Sequence, residues 1–289
     1  MKTIQINDYK EIMKFINDAD DISASYLYKL QQNSEDVEQY IRNTIEEPGV
    51  FAQIDDQDQI QMLLLPFKYD DNKYKVIGPF IRKGEPLSLE LFQDLFKSLT
   101  ESKPEEVSFN FSFIVNEQDY TPMMKAIEAG YNFTDYHLIA TKDVGTTEHE
   151  QNIAEYHPSY YRAFQKLHAH TFKHGAMTAD EIVNSLDDNN KLYVFMSEGL
   201  LKGYLYLQVY EDNHNAEVKY FTSHSDYRMK GIAFDLLTHA LHYAFQHYDI
   251  NIIYFKIRSK NNKLVERFNE LGFNVNVEYK KFKFVSSHV

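Results

Sequence analysis

The strongest constraint in the sequence is a pattern that occurs twice, about half a chain apart. Val50-Phe51-Ala52, a polar turn and an apolar run match Val194-Phe195-Met196, which is followed by Ser197-Glu198-Gly199 and another apolar run. Further on, the segment Gly130–Tyr136 resembles Gly272–Tyr279. The first pair is offset by 144 residues (50 to 194) and the second by 142 (130 to 272). A nearly constant offset, close to half of 289 residues, indicates a duplication with one unit per half.

Both halves also have the same predicted order of elements after the hairpin: strand, loop, helix, strand, helix. In the second half these elements are Ala216–Thr222, Ile250–Ile257 and a final region Val275–Phe284 as strands, with helices over 232–244 and 264–271. The corresponding segments of the first half are Lys75–Ile81, Leu87–Leu99, Glu106–Val115 and Pro122–Glu128. The predicted fold class is therefore α/β with two tandem domains, 1–145 and 146–289, which meet in the polar segment Lys142–Glu150.

Two details sharpen the prediction for the second half. The first helix has six apolar residues at helical spacing, which predict a buried face: Ile232, Leu236, Leu237, Ala240, Leu241 and Ala244. Gly272 stands where a glycine often ends a helix, directly after the short helix that carries Phe268.

Composition excludes several classes of protein. The formal net charge of −13 argues against binding to nucleic acid, which needs a basic surface. The chain has no cysteine, so it has neither disulfides nor thiolate chemistry, and this fits a reducing compartment. No apolar run is long enough to span a bilayer, and the first residues lack the apolar core of a signal peptide. We expect a cytoplasmic protein without a membrane or nucleic-acid partner.

The loop Tyr227–Ala233 (YRMKGIA) lies between a predicted strand and a predicted helix. A helix that begins this way directs unpaired backbone N–H groups and the positive end of its dipole at the loop, which is a favourable place for a phosphate. Gly231 allows close approach, Ala233 is small, and Arg228 and Lys230 are basic. The loop alone fits two interpretations, a phosphate cradle or an ordinary helix start.

The loop and a second motif together resemble the GNAT N-acetyltransferase superfamily. The matching residues, in the family's order, are Arg228, Gly231, Ala233, Asn261, Phe268, Gly272 and Phe273. Close resemblance covers about 191–284, and the first half resembles the family by element order. The resemblance implies two GNAT-like domains, each a mixed, mostly antiparallel twisted sheet flanked by helices, with a splayed central strand pair in the second copy. It also implies transfer of an acetyl group from acetyl-CoA to an amine, directly, in a ternary complex.

The resemblance assigns residues to the acetyl-CoA site. It places the pyrophosphate on the backbone amides of Arg228, Met229, Lys230, Gly231, Ile232 and Ala233. It places the pantetheine arm beside the strand end Phe221, Thr222 and Ser223, and adds Asn261 and Phe268 from the second motif. An oxyanion would meet a backbone N–H near Ser223.

Two further assignments concern catalysis. Members of the histone-acetyltransferase type carry a glutamate eleven positions before the loop's first conserved polar residue, here Arg228, which makes Glu217 the general base that the resemblance implies. The alternative is a solvated carboxylate paired with Lys219 or Lys202. Many members have a tyrosine where this chain has Phe268, so the proton for the departing thiolate must come from water or another tyrosine, or else the copy binds CoA without efficient catalysis.

The first half lacks the loop. Its counterpart, Arg82-Lys83-Gly84-Glu85-Pro86, has an acidic residue where phosphates would sit and a proline that removes an N–H donor. We therefore expect a degenerate first copy that binds no cofactor.

The histidines His168, His170 and His174 carry no third ligand at metal-binding spacing, so the sequence predicts no metal site. The resemblance instead makes 170–179 a loop over the acceptor site.

Three functions stay open at this stage. The first is an acetyl-CoA-dependent N-acetyltransferase acting on a small-molecule or peptide amine, for which the net negative charge hints at a cationic acceptor. The second is a CoA-binding sensor or scaffold without turnover, motivated by Phe268. The third, an aminoacyl transferase that uses aminoacyl-tRNA, is disfavoured by the acidic charge and by the CoA loop in the second copy.

Overall fold

The computed structural model describes residues 1–21, 34–103, 106–115, 119–173, 176–227 and 231–286. The chain divides into two compact units. Unit 1 comprises Met1–Asp135 together with Val277–Val289, and unit 2 comprises Tyr136–Asn276. The predicted duplication boundary near residue 145 concerns the sequence repeat and stays a prediction. The chain passes from unit 1 to unit 2 between residues 135 and 136. It returns to unit 1 between residues 276 and 277, because the last segment of the chain joins the first unit.

Unit 1 is a mixed sheet with helices. Its elements are β1 (Lys2–Ile6), α1 (Tyr9–Asp18), β2 (Asp20–Asp21), α2 (Ser34–Glu46), β3 (Val50–Ile54), β4 (Ile60–Asp70), β5 (Lys73–Ile81), α3 (Leu89–Glu101), β6 (Ser108–Ile114), α4 (Thr121–Ala126) and the larger part of β13 (Asn274–Val285). The strand order is β1-β3-β4-β5-β6-β13, with β2 also paired to β5. Only the β5–β6 pair is parallel among these registered pairs of the described residues.

Unit 2 repeats this plan. Its elements are the end of β7 (Gly130–Ala140), β8 (Ile153–Glu155), α5 (Tyr161–Thr171), α6 (Ala179–Asn184), β9 (Asn190–Ser197), β10 (Leu200–Tyr210), β11 (Asn215–Ser223), α7 (Ile232–His247), β12 (Ile252–Arg258) and α8 (Asn262–Glu270). The strand order is β7-β12-β11-β10-β9-β8. The pairs β8–β9, β9–β10 and β10–β11 are antiparallel, and β11–β12 is parallel. The predicted α/β class with mixed, mostly antiparallel sheets is confirmed.

The final strand is out of sequence order. β13 pairs with β6 from Tyr279↔Ile114 to Val285↔Ser108, so the end of the chain completes the sheet of unit 1. In unit 2 the place beside β12 belongs to β7, which comes from the first half of the sequence. The repeat in the sequence does not reveal this arrangement, because both strands have the same alternating pattern and fit either position.

Helix α7 is the main support of the sheet in unit 2. All six residues of its predicted apolar face are buried. Gly203 of β10 lies beneath the start of the helix, and a Cβ atom there would lie 2.9 Å from Ile232 Cγ2 and 2.8 Å from the Thr222 carbonyl oxygen. The glycine therefore allows the first turn of α7 to approach β10 and β11 closely.

Helix α8 ends in a complete Schellman motif, in agreement with the prediction for Gly272. The Phe273 N–H donates to the Phe268 carbonyl (3.0 Å), and the Gly272 N–H donates to the Asn269 carbonyl (3.0 Å). Gly272 has φ +82°, and the rings of Phe268 and Phe273 pack edge to face at 5.1 Å. The glycine-phenylalanine pair thus ends the helix and fixes Phe268.

We expect Gly272→Ala to lower the free energy of unfolding by about 1 kcal/mol, because a Cβ atom is strained at positive φ. Chemical denaturation measures the change. Gly130→Ala is the matched control, since Gly130 lacks positive φ and has open space around its Cβ position. Equal stabilities for Gly272→Ala and the wild-type chain would contradict the role given to Gly272.

Candidate functional site

The central feature of unit 2 is a gap between two parallel strands. β11 and β12 pair only through Asn215↔Ile252, Ala216↔Ile253 and Glu217↔Tyr254. β11 nevertheless continues to Ser223, and β12 continues to Arg258. Within the described residues, the edge of β11 that faces β12 has no strand partner beyond Glu217. The splayed pair expected for the second copy is confirmed, and its backbone groups are available to a ligand.

A β-bulge lies at the same place. In the β10–β11 register, Tyr206 pairs with Tyr220 while Leu207 pairs with Val218, so Lys219 is the extra residue. The bulge bends β11 away from its neighbour and changes the direction of one side chain. The Lys219 ammonium group donates to Glu217 Oε2 at 3.1 Å. The Lys219 side chain is therefore directed towards the Glu217 carboxylate.

The start of α7 has the features expected of an anion site. Gly231 is its N-cap residue, with φ +79° and no side-chain cap among the described residues. Ile232 and Ala233 begin the helix, and the N–H groups of a first turn have no acceptors within the helix. The predicted ligands Arg228, Met229 and Lys230 lie outside the described residues. Of the six predicted pyrophosphate ligands, the structure therefore describes three, which lie at the start of the helix: Gly231, Ile232 and Ala233.

One acidic side chain lies in this first turn and is held by the preceding segment. Asp235 accepts a hydrogen bond from Thr147 Oγ1 at 2.7 Å and lies 3.1 Å from His149 Nδ1. Further along α7, His239 contacts Glu150 and His242 contacts Asp143. All four contacts attach the segment 143–150 to α7. Those of Thr147 and His149 also occupy the Asp235 carboxylate.

The two residues of the pantetheine strand end after Phe221 follow β10 in regular register. Thr222 pairs with Tyr204, and Ser223 pairs with Gly203. Both belong to the part of β11 whose other edge faces the gap. They therefore lie at the gap, and their contact with the pantetheine arm stays a prediction.

Glu217 is buried beside several polar groups. It is 6% exposed, and its carboxylate lies 3.1 Å from Lys219 Nζ, 3.5 Å from Lys256 Nζ and 3.4 Å from the Tyr254 hydroxyl. Of the two lysines in the alternative interpretation, Lys219 is a partner, whereas Lys202 pairs with Glu198. Because the carboxylate is buried and paired, it is not the solvated strand-end group of that alternative. Two ammonium groups thus lie within 3.5 Å of the buried carboxylate.

Phe268 is completely buried in a cluster of phenylalanines. Its ring stacks on Phe255 at 4.9 Å with an interplanar angle of 4°, and it meets Phe221 edge to face at 5.7 Å. Phe221 belongs to β11 and Phe255 to β12, so the cluster supports both strands at the gap. Position 268 therefore has a packing role, and its side chain has no proton to donate. Tyr254 is a tyrosine whose hydroxyl does reach Glu217.

Asn261 lies at the N-cap of α8 and is exposed. Its carbonyl accepts from the N–H groups of Leu264 (2.9 Å) and Val265 (3.0 Å), and its side chain does not cap the helix within the described residues. The amide is therefore directed to solvent, where a ligand can reach it.

The first copy has a corresponding parallel pair, β5–β6, which ends at Val76↔Phe111. At the repeat offsets of 142 and 144 residues, Glu217 and Tyr254 correspond to Lys75 and Asn110, which also pair. Lys75 alternates with residues of the core that packs against α3, just as Glu217 alternates with residues of the core that packs against α7. The first copy thus has a lysine in place of the glutamate.

The gap of the first copy is also filled by its own chain. β2 pairs with β5 through Asp20↔Ile81 and Asp21↔Phe80. The following helix α3 is capped by Ser88, whose hydroxyl accepts from the Leu91 N–H. The backbone groups that stay available in unit 2 are thus satisfied in unit 1 by the chain itself.

The segment between α5 and α6 is held at Met177. His168 Nε2 lies 2.7 Å from the Met177 carbonyl oxygen, and the Met177 N–H donates to the Tyr220 hydroxyl at 3.0 Å. A carbonyl only accepts, so Nε2 carries the proton. Burial raises the pKa of Tyr204, whose hydroxyl lies 2.6 Å from His168 Nδ1. His168 is thus a structural link, His170 is exposed, and His174 lies outside the described residues.

Lys256, Tyr254 and Gly203 were not predicted from the sequence, and His168 was considered there only as a metal ligand. A signal for the first two exists, because residues 254 and 256 alternate with the apolar residues of β12 and so share one face of the sheet.

Among the described residues there is no group of three or more histidine or acidic side chains placed to hold a metal ion. No helix in the described part of the chain is long and apolar enough to cross a membrane.

Comparison with known proteins agrees with this architecture. Residues 150–273 match the family model described as "Acetyltransferase (GNAT) family". No curated protein matches the chain. Among solved structures, a tandem GNAT protein from the clavulanic acid biosynthesis pathway is 11% identical with a TM-score of 0.65, over 100% of this chain and 99% of that one.

Two further structures are similar over nearly the whole chain. A GCN5-related N-acetyltransferase from Sphaerobacter thermophilus is 12% identical with a TM-score of 0.65, covering 98% of this chain and 95% of its own. A GNAT-family acetyltransferase from Colwellia psychrerythraea is 12% identical with a TM-score of 0.61, covering 99% and 100%. At these identities the likeness shows the fold. Residues 150–273 therefore resemble the acetyltransferase (GNAT) family, and the whole chain has the fold of the tandem GNAT structures.

Proposed function

We propose that unit 2 transfers an acetyl group from acetyl-CoA to an amine by direct attack in a ternary complex. The observation that carries the proposal is the gap between β11 and β12, which opens at Glu217. Beside it, α7 starts at an uncapped glycine. The gap offers backbone groups to the amides of the pantetheine arm, and the helix start offers N–H groups to the pyrophosphate. The absence of cysteine favours the cytoplasm as the place of the reaction.

The proposed reaction gives specific roles to side chains of unit 2. Glu217 accepts a proton from the acceptor's ammonium group, so that the nitrogen can attack the thioester carbon. The new C–N bond forms, the C–S bond breaks, and CoA leaves as a thiolate. Backbone N–H groups of β11 near Ser223 stabilise the negative oxygen. The nitrogen loses its second proton as the amide forms, and the thiolate takes up one proton. Tyr254, whose hydroxyl lies at Glu217, is our candidate for passing this proton from the nitrogen to the thiolate, and Glu217 returns its own proton to solvent.

A second function, CoA binding without turnover, is favoured by one observation. Phe268 is buried among other rings and has no hydroxyl at a position where many family members have one. Acetyl-CoA binding without thiol release from any amine in a broad panel would support this second function.

We expect one acetyl-CoA to bind per chain, because the corresponding gap in unit 1 is filled by β2. We further expect Ala233→Glu to raise the Kd for acetyl-CoA at least tenfold, since the new carboxylate repels the pyrophosphate. The same carboxylate interacts favourably with the helix dipole, so α7 stays folded. Isothermal titration calorimetry measures both the stoichiometry and the affinity.

Ala233→Gln is the matched control for this experiment, since it adds the same bulk without the charge. Its affinity for acetyl-CoA should exceed that of Ala233→Glu, and raising the ionic strength should reduce the difference. Equal affinities for the glutamate variant, the glutamine variant and the wild-type chain would refute the pyrophosphate site.

We expect Glu217→Gln to lower kcat/KM for an amine acceptor roughly 100-fold at pH 7, within the usual range for a lost general base. The loss should shrink as the pH approaches the pKa of the acceptor, because solvent then supplies the neutral amine without Glu217. Free-thiol release measures the rate, with an acceptor found in the panel. Acetyl-CoA affinity serves as the folding control and should not change. A variant as active as the wild-type chain at both neutral and high pH would exclude Glu217 as the base.

A further inference from the structure

Two ammonium groups face the Glu217 carboxylate. They are those of Lys219 at 3.1 Å and Lys256 at 3.5 Å. The formal charges of these three side chains therefore sum to +1. This local sign is opposite to that of the whole chain, which carries −13. A single lysine would be enough to neutralise the buried Glu217 carboxylate.

The three side chains differ in their access to solvent. The Glu217 side chain is 7% exposed, whereas those of Lys219 and Lys256 are 25% and 34% exposed. The carboxylate is thus shielded from water, while both lysines can be reached from outside. A ligand that approaches Glu217 must therefore pass close to the two ammonium groups.

Strand alternation shows from which side this approach occurs. Ala216 and Val218 of β11, and Ile253 and Ile257 of β12, belong to the core that packs against α7. Glu217 and Lys256 alternate with these residues, so they lie on the opposite face of the sheet. The predicted pyrophosphate site is at the start of α7. The lysines are therefore placed for the acceptor and not for the phosphates of acetyl-CoA.

The charge pattern is complementary to a molecule that carries both signs. The ammonium group of an acceptor is attracted to Glu217, and an anionic group on the same molecule is attracted to Lys219 and Lys256. His137, which stacks on Tyr254 at 6.0 Å, adds a ring nitrogen to the same face. A polyamine would instead bring further positive charge against the two lysines.

We infer that the acceptor is an amine that also carries an anionic group, a carboxylate or a phosphate. Glu217 receives the amine, and Lys219 and Lys256 bind the anionic group. This inference rests on the proposed acetyl transfer and names the class of acceptor for that same site. It replaces the cationic acceptor suggested by net charge, because the charges beside the site act more strongly than those spread over the surface.

The first experiment compares acceptors with and without an anionic group in the free-thiol assay. One arm uses L-α-amino acids against their carboxamides, and the other uses O-phosphoethanolamine against ethanolamine. We expect the anionic member of at least one arm to have a kcat/KM at least tenfold above that of its neutral counterpart. The arm that shows this preference identifies the anionic group. Spermidine or a carboxamide as the best acceptor would overturn the inference.

The second experiment uses variants of the two lysines. Lys256→Gln and Lys219→Gln should each raise KM for the preferred acceptor about tenfold, the size expected for a lost charge-assisted hydrogen bond. The KM for the matching neutral acceptor should stay the same. Lys256→Arg should keep most of the preference. Lys191→Gln is the matched control, because Lys191 pairs with Glu155 on another strand pair and should leave both KM values unchanged. If the lysines only neutralise Glu217, acidic and neutral acceptors will be affected equally.

The experiments give different results when the acceptor class is wrong and when the proposed acetyl transfer is wrong. A chain that binds acetyl-CoA and acetylates neutral amines best retains the proposed function and loses the inference. A chain that does not bind acetyl-CoA loses the proposed function. In that case, calorimetry of the amino acids and of O-phosphoethanolamine alone still tests the anion site. Weaker binding to both lysine variants than to the wild-type chain supports it, and the lack of binding to any of the three refutes it.

Discussion

The early end of the β11–β12 pairing is the constraint on which the site of unit 2 depends. Three registered residue pairs hold the strands together, and beyond Glu217 they separate. A parallel pair that stops halfway leaves backbone groups without partners, which is costly in a sheet unless a ligand or water satisfies them. The bulge at Lys219 bends β11 at the same point, and the ring cluster around Phe268 supports both strands as they diverge. The gap that a ligand can enter and the packing of the Phe268 cluster therefore both lie where β11 and β12 separate.

The two copies show how the same architecture can serve different purposes. In unit 1 the strand gap is covered by β2, and Ser88 caps the helix that follows. In unit 2 the helix begins at Gly231, without a side-chain cap in the described residues. The chain thus satisfies its own backbone groups at the gap of unit 1 and leaves the edge of β11 without a strand partner in unit 2. This contrast supports the proposal of a single acetyl-CoA site.

The sequence predicted most of the fold and part of the site. Hydrophobic spacing identified the buried face of α7 residue by residue, since helical periodicity depends only on local order. Gly272 was recognised as a helix end because positive φ selects glycine. The exchange of β7 and β13 was not predictable, because strand pairing between distant segments leaves no local signal. Alternation along β12 places Lys256 and Tyr254 on one face of the sheet, but they meet Glu217 only through the register of β12 with β11, which the sequence does not show.

By itself, the sequence determined that the chain is a duplicated α/β protein with a glycine-containing loop in its second half and a defective loop in its first. These are properties of residue type and spacing, and each depends on neighbours in the chain. Only the tertiary structure decided that Glu217 is buried between two lysines, that Phe268 is a packing residue, and that β2 covers the gap in the first copy. Each of these results depends on where β-strands separate, and that is set by long-range register and packing, which one strand's sequence does not contain.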